Sequence, residues 1–133
     1  DLVYATDFEV EDIKALEKVV ELAKVWNADI RVVHVTADKS YAGNPQMEWF
    51  REMVLNKIDY DRIHFEVLES NNIVASLEKY TENRHAGMIA MLERIHKGAA
   101  KKLFHRGRVK QMASRNQLPL LSFNERNLQA LFF

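Results

Sequence analysis

Apolar residues in this chain come in short unbroken runs, and between the runs they recur every three or four positions. "LVYAT" (residues 2–6), "IRVVHVT" (30–36) and "GMIAML" (87–92) are β-prone and almost wholly apolar, the pattern of strands buried on both faces. "IHFEVLE" (63–69) alternates instead, which predicts a strand less deeply buried than the others. "LPLLSF" (118–123) predicts a fifth strand, and its Pro119 argues for an edge position because proline has no N–H to give a ladder.

Helical spacing fills the intervals. Ile13, Leu16, Val20 and Ala23 line one face of a helix ending near Asn27, with Asp7 as the capping candidate. Glu9, Glu11 and Asp12 fall where the helix dipole favours negative charge. Pro45 suits a first helical turn, followed by a stripe of Met47, Phe50, Val54 and Ile58. Asn71 or Asn72 can cap a third helix whose inner face is Ile73, Leu77 and Tyr80. A fourth helix is expected over 99–114, with Leu103, Val109, Met112 and Ala113 inward and the basic residues outward. Five strands thus alternate with four helices, which predicts an α/β fold with an open sheet and helices on both faces. Right-handed crossovers leave few ways to build it.

Length and composition narrow the class. A chain of 133 residues with 47% hydrophobic and 29% charged residues is a single globular domain. No cysteine is present, so there is no disulfide framework and no thiolate zinc site; a reducing compartment fits, and the cytoplasm is the expected location. No apolar run approaches the roughly 20 residues a membrane helix needs. The net charge of zero conceals a split. Residues 1–93 carry ten Lys or Arg against eighteen Asp or Glu, and residues 94–133 carry nine against one. Between Arg94 and Arg115 stand eight basic residues and no acidic one.

Three segments in register resemble a known family. "LVYATDF" at the first strand, "IRVVHV" at the second and "MASRNQLPLLSF" near the end together look like a universal stress protein domain, over residues 2–123. The resemblance implies an open five-stranded parallel sheet in the order 3-2-1-4-5. It implies a stress-response role, and pairing through the last strand with a second copy or a tandem domain, which would put Leu118, Leu120, Leu121 and Phe123 at the interface. The domain would span residues 1–124, leaving a tail over 125–133 whose apolar end is expected to pack on the domain or its neighbour.

With that strand order, ligands belong in the crevice between the first and fourth strands, outside their carboxyl ends. The walls would be Thr6-Asp7-Phe8 and Met91-Leu92-Glu93. Asp7 and Val35 match positions that hold adenine and ribose in nucleotide-binding members, and Met91 and Gly107 fall in the same vestigial crevice. Those members also carry a stretch of the form G-x2-G-x9-G-(S/T) after the fourth strand, because phosphate must reach bare peptide N–H groups. Here Leu92, Glu93, Arg94 and Ile95 follow Met91, and only Gly98 and Gly107 remain of the glycines. Alignment on Pro119 puts the closing pair on Arg106 and Gly107, with no hydroxyl. The cradle is missing. Glu93 adds repulsion beside a phosphate.

Lys97, Lys101, Lys102, Arg106, Arg108 and Lys110 offer charge-assisted bonds in place of the lost amides. A solvated helix face and a docking surface for a protein partner at 94–115 are the competing uses. Nucleic acid is disfavoured, since no exposed aromatics interleave with the charges. The five histidines show no metal-ligand spacing, and no serine stands in a G-x-S-x-G elbow. The expectation is therefore a non-catalytic domain without cofactor or metal, acting by dimerisation or partner contact. An ATP- or AMP-binding sensor that uses basic side chains is the alternative.

Overall fold

A computed structural model describes residues 1–37, 45–93, 111–112, 118–124 and, for the backbone alone, 130–132. Five parallel strands form the sheet: β1 (Leu2–Ala5), β2 (Ile30–Thr36), β3 (Ile63–Glu69), β4 (Met88–Glu93) and β5 (Leu120–Asn124). Their order is 3-2-1-4-5, as the resemblance implied. A sixth strand, β6 (Ala130–Phe132), pairs antiparallel with β5. Residues 130–132 of the tail thus pair with the sheet, and β5 is not the edge that Pro119 predicted. Pro119 precedes the ladder, so it removes no bond from it, and β5 is flanked on both sides.

Three helices connect the strands: α1 (Val10–Trp26), α2 (Pro45–Lys57) and α3 (Ile73–Asn83). In α1, Ile13, Leu16, Val20 and Ala23 are buried as their spacing predicted, joined by Ala15 and Val19. Its cap is not Asp7. The helix starts from Glu9, whose amide donates to the Asp12 carboxylate at 3.1 Å. Asn27, in the left-handed region at φ 53°, ends it. Pro45 opens α2, and Phe50 and Val54 are its buried residues. Asn72 caps α3 by accepting from the Ala75 amide at 3.0 Å.

Each sheet face has its own core. Leu2, Tyr4, Val32, Ala90, Leu121 and Phe123 turn toward α1 and α2. Val3, Ala5, Val33, Val35, Met91 and Leu120 turn toward α3 and Met112. The central strands are closed over on both faces, which explains their unbroken apolar runs. β3 ends the sheet with most of its residues half-buried, as its alternation predicted. At the amino end of the sheet, Arg62 clamps the turn after α1. It donates to the Asn27 carbonyl at 2.8 Å and to the Asp29 carboxylate at 2.9 Å, and the bond to Asp29 holds that carboxyl below its ordinary range.

Candidate functional site

The strand order reverses between β1 and β4, and their register sets Ala5 opposite Met91. Beyond Ala5 the chain turns through Thr6, Asp7, Phe8 and Glu9 into α1. This turn forms the described wall of the crevice at the carboxyl ends of the strands.

Its polar groups serve one another. The Thr6 amide donates to the Val33 carbonyl at 2.9 Å, and the Thr6 hydroxyl accepts from the Phe8 amide at 2.9 Å. Asp12 is buried, with 1% of its surface exposed, yet it sits one turn into the helix. Its Oδ1 accepts the Tyr4 hydroxyl at 2.7 Å, and its Oδ2 accepts the amides of Asp7 at 3.3 Å and Glu9 at 3.1 Å. A buried carboxylate is tolerated only when paired in this way. Here the donors that hold it are the amides that open the helix.

Phe8 takes a left-handed backbone conformation, φ 60°, which costs an L residue of this size about 1–2 kcal/mol. Burial of the ring offsets that cost. It lies 4.6 Å from the His34 ring and 5.3 Å from the Phe50 ring, while the Phe8 carbonyl accepts from Gln46 Nε2 at 3.2 Å. His34 is buried at the end of β2, and its Nδ1 lies 2.7 Å from the Thr6 carbonyl oxygen. A carbonyl can only accept, so hydrogen bonding assigns the ring proton to Nδ1. Burial pushes the His34 pKa down, against the opposing pull of the Thr6 carbonyl and the Asp12 carboxylate. The ring therefore packs as a neutral aromatic against Phe8.

No family profile matches the chain, and no curated protein matches it. Solved structures do. One is a universal stress protein in complex with cAMP, 14% identical, with a TM-score of 0.70, covering 93% of this chain and 95% of that one. A second is the universal stress protein from Archaeoglobus fulgidus in complex with dAMP, 12% identical, with a TM-score of 0.70, covering 91% and 94%. A third belongs to the universal stress protein family of Burkholderia pseudomallei, 18% identical, with a TM-score of 0.57, covering 92% and 94%.

This chain has the universal stress protein fold.

On that fold the sequence-derived positions separate into two groups. Val35 and Met91 reach the crevice end of β2 and β4, but their side chains are core residues on the α3 face. Only their main chain could meet a ligand. Asp7 is buried beside the Asp12 carboxylate, through its own amide. Leu92, expected to narrow the crevice, is instead a rung of β4 opposite Phe123 with its side chain in the α1 core, and half-buried Glu93 is the last residue of that strand. Gly107, the basic run at 94–115 and most of the helix expected over 99–114 lie outside the described residues.

Among the described residues no group of His, Asp and Glu could hold a metal ion, and no helix is long and apolar enough to cross a membrane. The sequence reading missed Asp12 as the organiser of the turn. Its signal was present as Glu9-x-x-Asp12, an acidic residue three positions after the cap, but a glutamate in the cap position does not announce itself.

Proposed function

We propose that this domain acts in stress response as a non-catalytic module that works through pairing or partner contact, with a crevice that no longer accepts a nucleoside triphosphate. One observation carries this. The consecutive amides of Asp7, Phe8 and Glu9, at the strand-to-helix turn where an open α/β sheet presents donors to an anion, are bonded to the Asp12 carboxylate and the Thr6 hydroxyl. Glu9, Glu11 and Asp12 surround the same helix start with negative charge. A phosphate there would have to displace a buried carboxylate and then face two others. The missing glycines after β4 remove the other source of bare amides.

A second reading has specific support. Two of the similar structures hold the mononucleotides cAMP and dAMP, so a nucleoside monophosphate could occupy the crevice through main-chain contacts at Val35 and Met91.

Thermal melting separates these readings. A ligand at a hundredfold excess over its Kd adds about 2.7 kcal/mol, which for a domain of this size raises Tm by about 8 °C. No rise is expected with millimolar ATP. A rise with AMP or cAMP alone would establish the second reading. A rise with ATP that Asp7→Ala abolishes would overturn the first.

A further inference from the structure

β3 ends one side of the sheet with seven residues, against the three of β6 at the other side. The Ile30 amide donates to the Arg62 carbonyl and the Ser70 amide to the Thr36 carbonyl, each at 2.9 Å. In a parallel ladder those two bonds fix the phase of the strand between them. His64, Glu66 and Leu68 turn their main chain to β2, while Ile63, Phe65, Val67 and Glu69 turn theirs outward. The outward amides and carbonyls have no hydrogen-bond partner among the described residues. Ile63, Phe65 and Val67 pack half-buried on the α1 and α2 core, and Leu68 half-buried on the α3 core. An open ladder with apolar residues on both faces is a template for another strand.

We propose that β3 pairs antiparallel with β3 of a second copy of this chain, in a two-fold register centred on Phe65. This names a surface for the pairing in the proposed function and rests on that reading. Charge selects the register. Those that keep most of the ladder and set outward residues face to face centre on Phe65, Glu66 or Val67. Centring on Glu66 stands that carboxylate against its own copy, and like charges directly opposite are destabilising. Centring on Val67 sets Glu66 against Leu68 and Phe65 against Glu69. Centring on Phe65 sets Ile63 against Val67, the two Phe65 residues against each other, and His64 against Glu66 on both sides of the axis. The His64–Glu66 pairs fall at non-bonded positions, where side chains approach most closely. Both groups are open to a partner, with 45% of the His64 side chain and 36% of the Glu66 side chain exposed. Tyr80 and Arg84 both donate to Glu66 Oε1 at 3.4 Å, which leaves Oε2 to accept from an imidazole. His64 Nε2 stands 3.5 Å from Asp29 Oδ1, a contact loose enough for the ring to turn to the new carboxylate.

Sedimentation of the full chain across the micromolar range tests the proposal. The wild type is expected to dimerise there from its monomer mass of 15.5 kDa. His64→Glu sets glutamates opposite each other on both sides of the axis and should weaken the dimer about tenfold. His64→Arg keeps a donor and fixes its charge, so it should tighten the dimer by about threefold. A general loss of folding cannot move the two variants in opposite directions. The chain has no cysteine, so cross-linking reads the register cleanly. Phe65→Cys places two sulfurs on the axis, with Cα atoms about 5.5 Å apart, and should oxidise to a covalent dimer. Val67→Cys, which then faces Ile63, should stay reduced.

A wild type that stays monomeric at every concentration overturns the proposal and removes pairing from the proposed function, which then rests on partner contact. A dimer that neither His64 variant changes, and that Phe65→Cys does not link, overturns the proposal alone, because the chain then pairs through another surface. A link through Val67→Cys in place of Phe65→Cys overturns the register, and with it the role given to His64 and Glu66.

Discussion

Replacing Asp12 with asparagine tests whether one buried carboxylate organises the turn. The side chain keeps its size, but one of its two acceptor oxygens becomes an NH2 donor. Asparagine can accept the Tyr4 hydroxyl or the two amides of Asp7 and Glu9, never all three. With its oxygen on the amides, its NH2 can donate to the Tyr4 oxygen, but every bond is then neutral and the tyrosine proton loses its acceptor; in the other orientation the NH2 faces two amide donors. Hydrogen bonds to a charged acceptor contribute about 1.5–3 kcal/mol each, and a buried donor left unpaired costs about 1–3 kcal/mol. Relief from burying a charge offsets part of this. The expected loss is about 3 kcal/mol, out of the roughly 5–15 kcal/mol that holds a domain together. With a urea slope of about 2 kcal/mol per molar, the midpoint should fall by about 1.5 M. Tyr4→Phe in the same background should cost less than it does alone, because the charged acceptor for its hydroxyl is already gone. An Asp12→Asn protein within about 0.5 kcal/mol of wild type would refute the account of the turn.

The remaining predictions concern a ring and an orphan hydroxyl. His34 is held neutral, with its folded pKa below the ordinary value of 6.5, so the unfolded chain binds the proton more readily. Its contribution is fully present above that ordinary value and is lost as pH falls through it toward the folded pKa, because stability rises with pH wherever the unfolded state binds more protons. Urea melts across this window should show the loss, and His34→Gln, which keeps a donor for the Thr6 carbonyl, should flatten it; an unchanged slope would remove His34 as the cause. Ser122 Oγ is buried with no hydrogen-bond partner among the described residues, so Ser122→Ala should stabilise the domain by about 1 kcal/mol in the same melts, and a loss of stability would point to a partner for the hydroxyl.

Much of the architecture was legible because burial on two faces leaves no choice of residue. Runs such as those of β1, β2 and β4 tolerate almost nothing polar when helices cover both sides, so the sequence shows them without a structure. The same holds for the α1 stripe and the Asn72 cap, where the contacts are local. The site was less legible. Asp7 reads as a cap, yet Asp12 does the organising, because the choice between them depends on Tyr4 reaching across from the sheet. His34 reads as one more strand residue until Phe8 and Thr6 are seen beside it.

By itself the sequence determined the alternation of elements, the two-faced core and the absence of a glycine cradle, since each follows from residues close together along the chain. Tertiary structure alone decided that the Tyr4 hydroxyl reaches Asp12 from the sheet, that Phe8 and Thr6 meet His34 and that β5 is covered by β6. Those are contacts between different elements of the fold. No periodicity encodes them, because the free energy that selects a long-range partner exists only once the sheet has brought the two together.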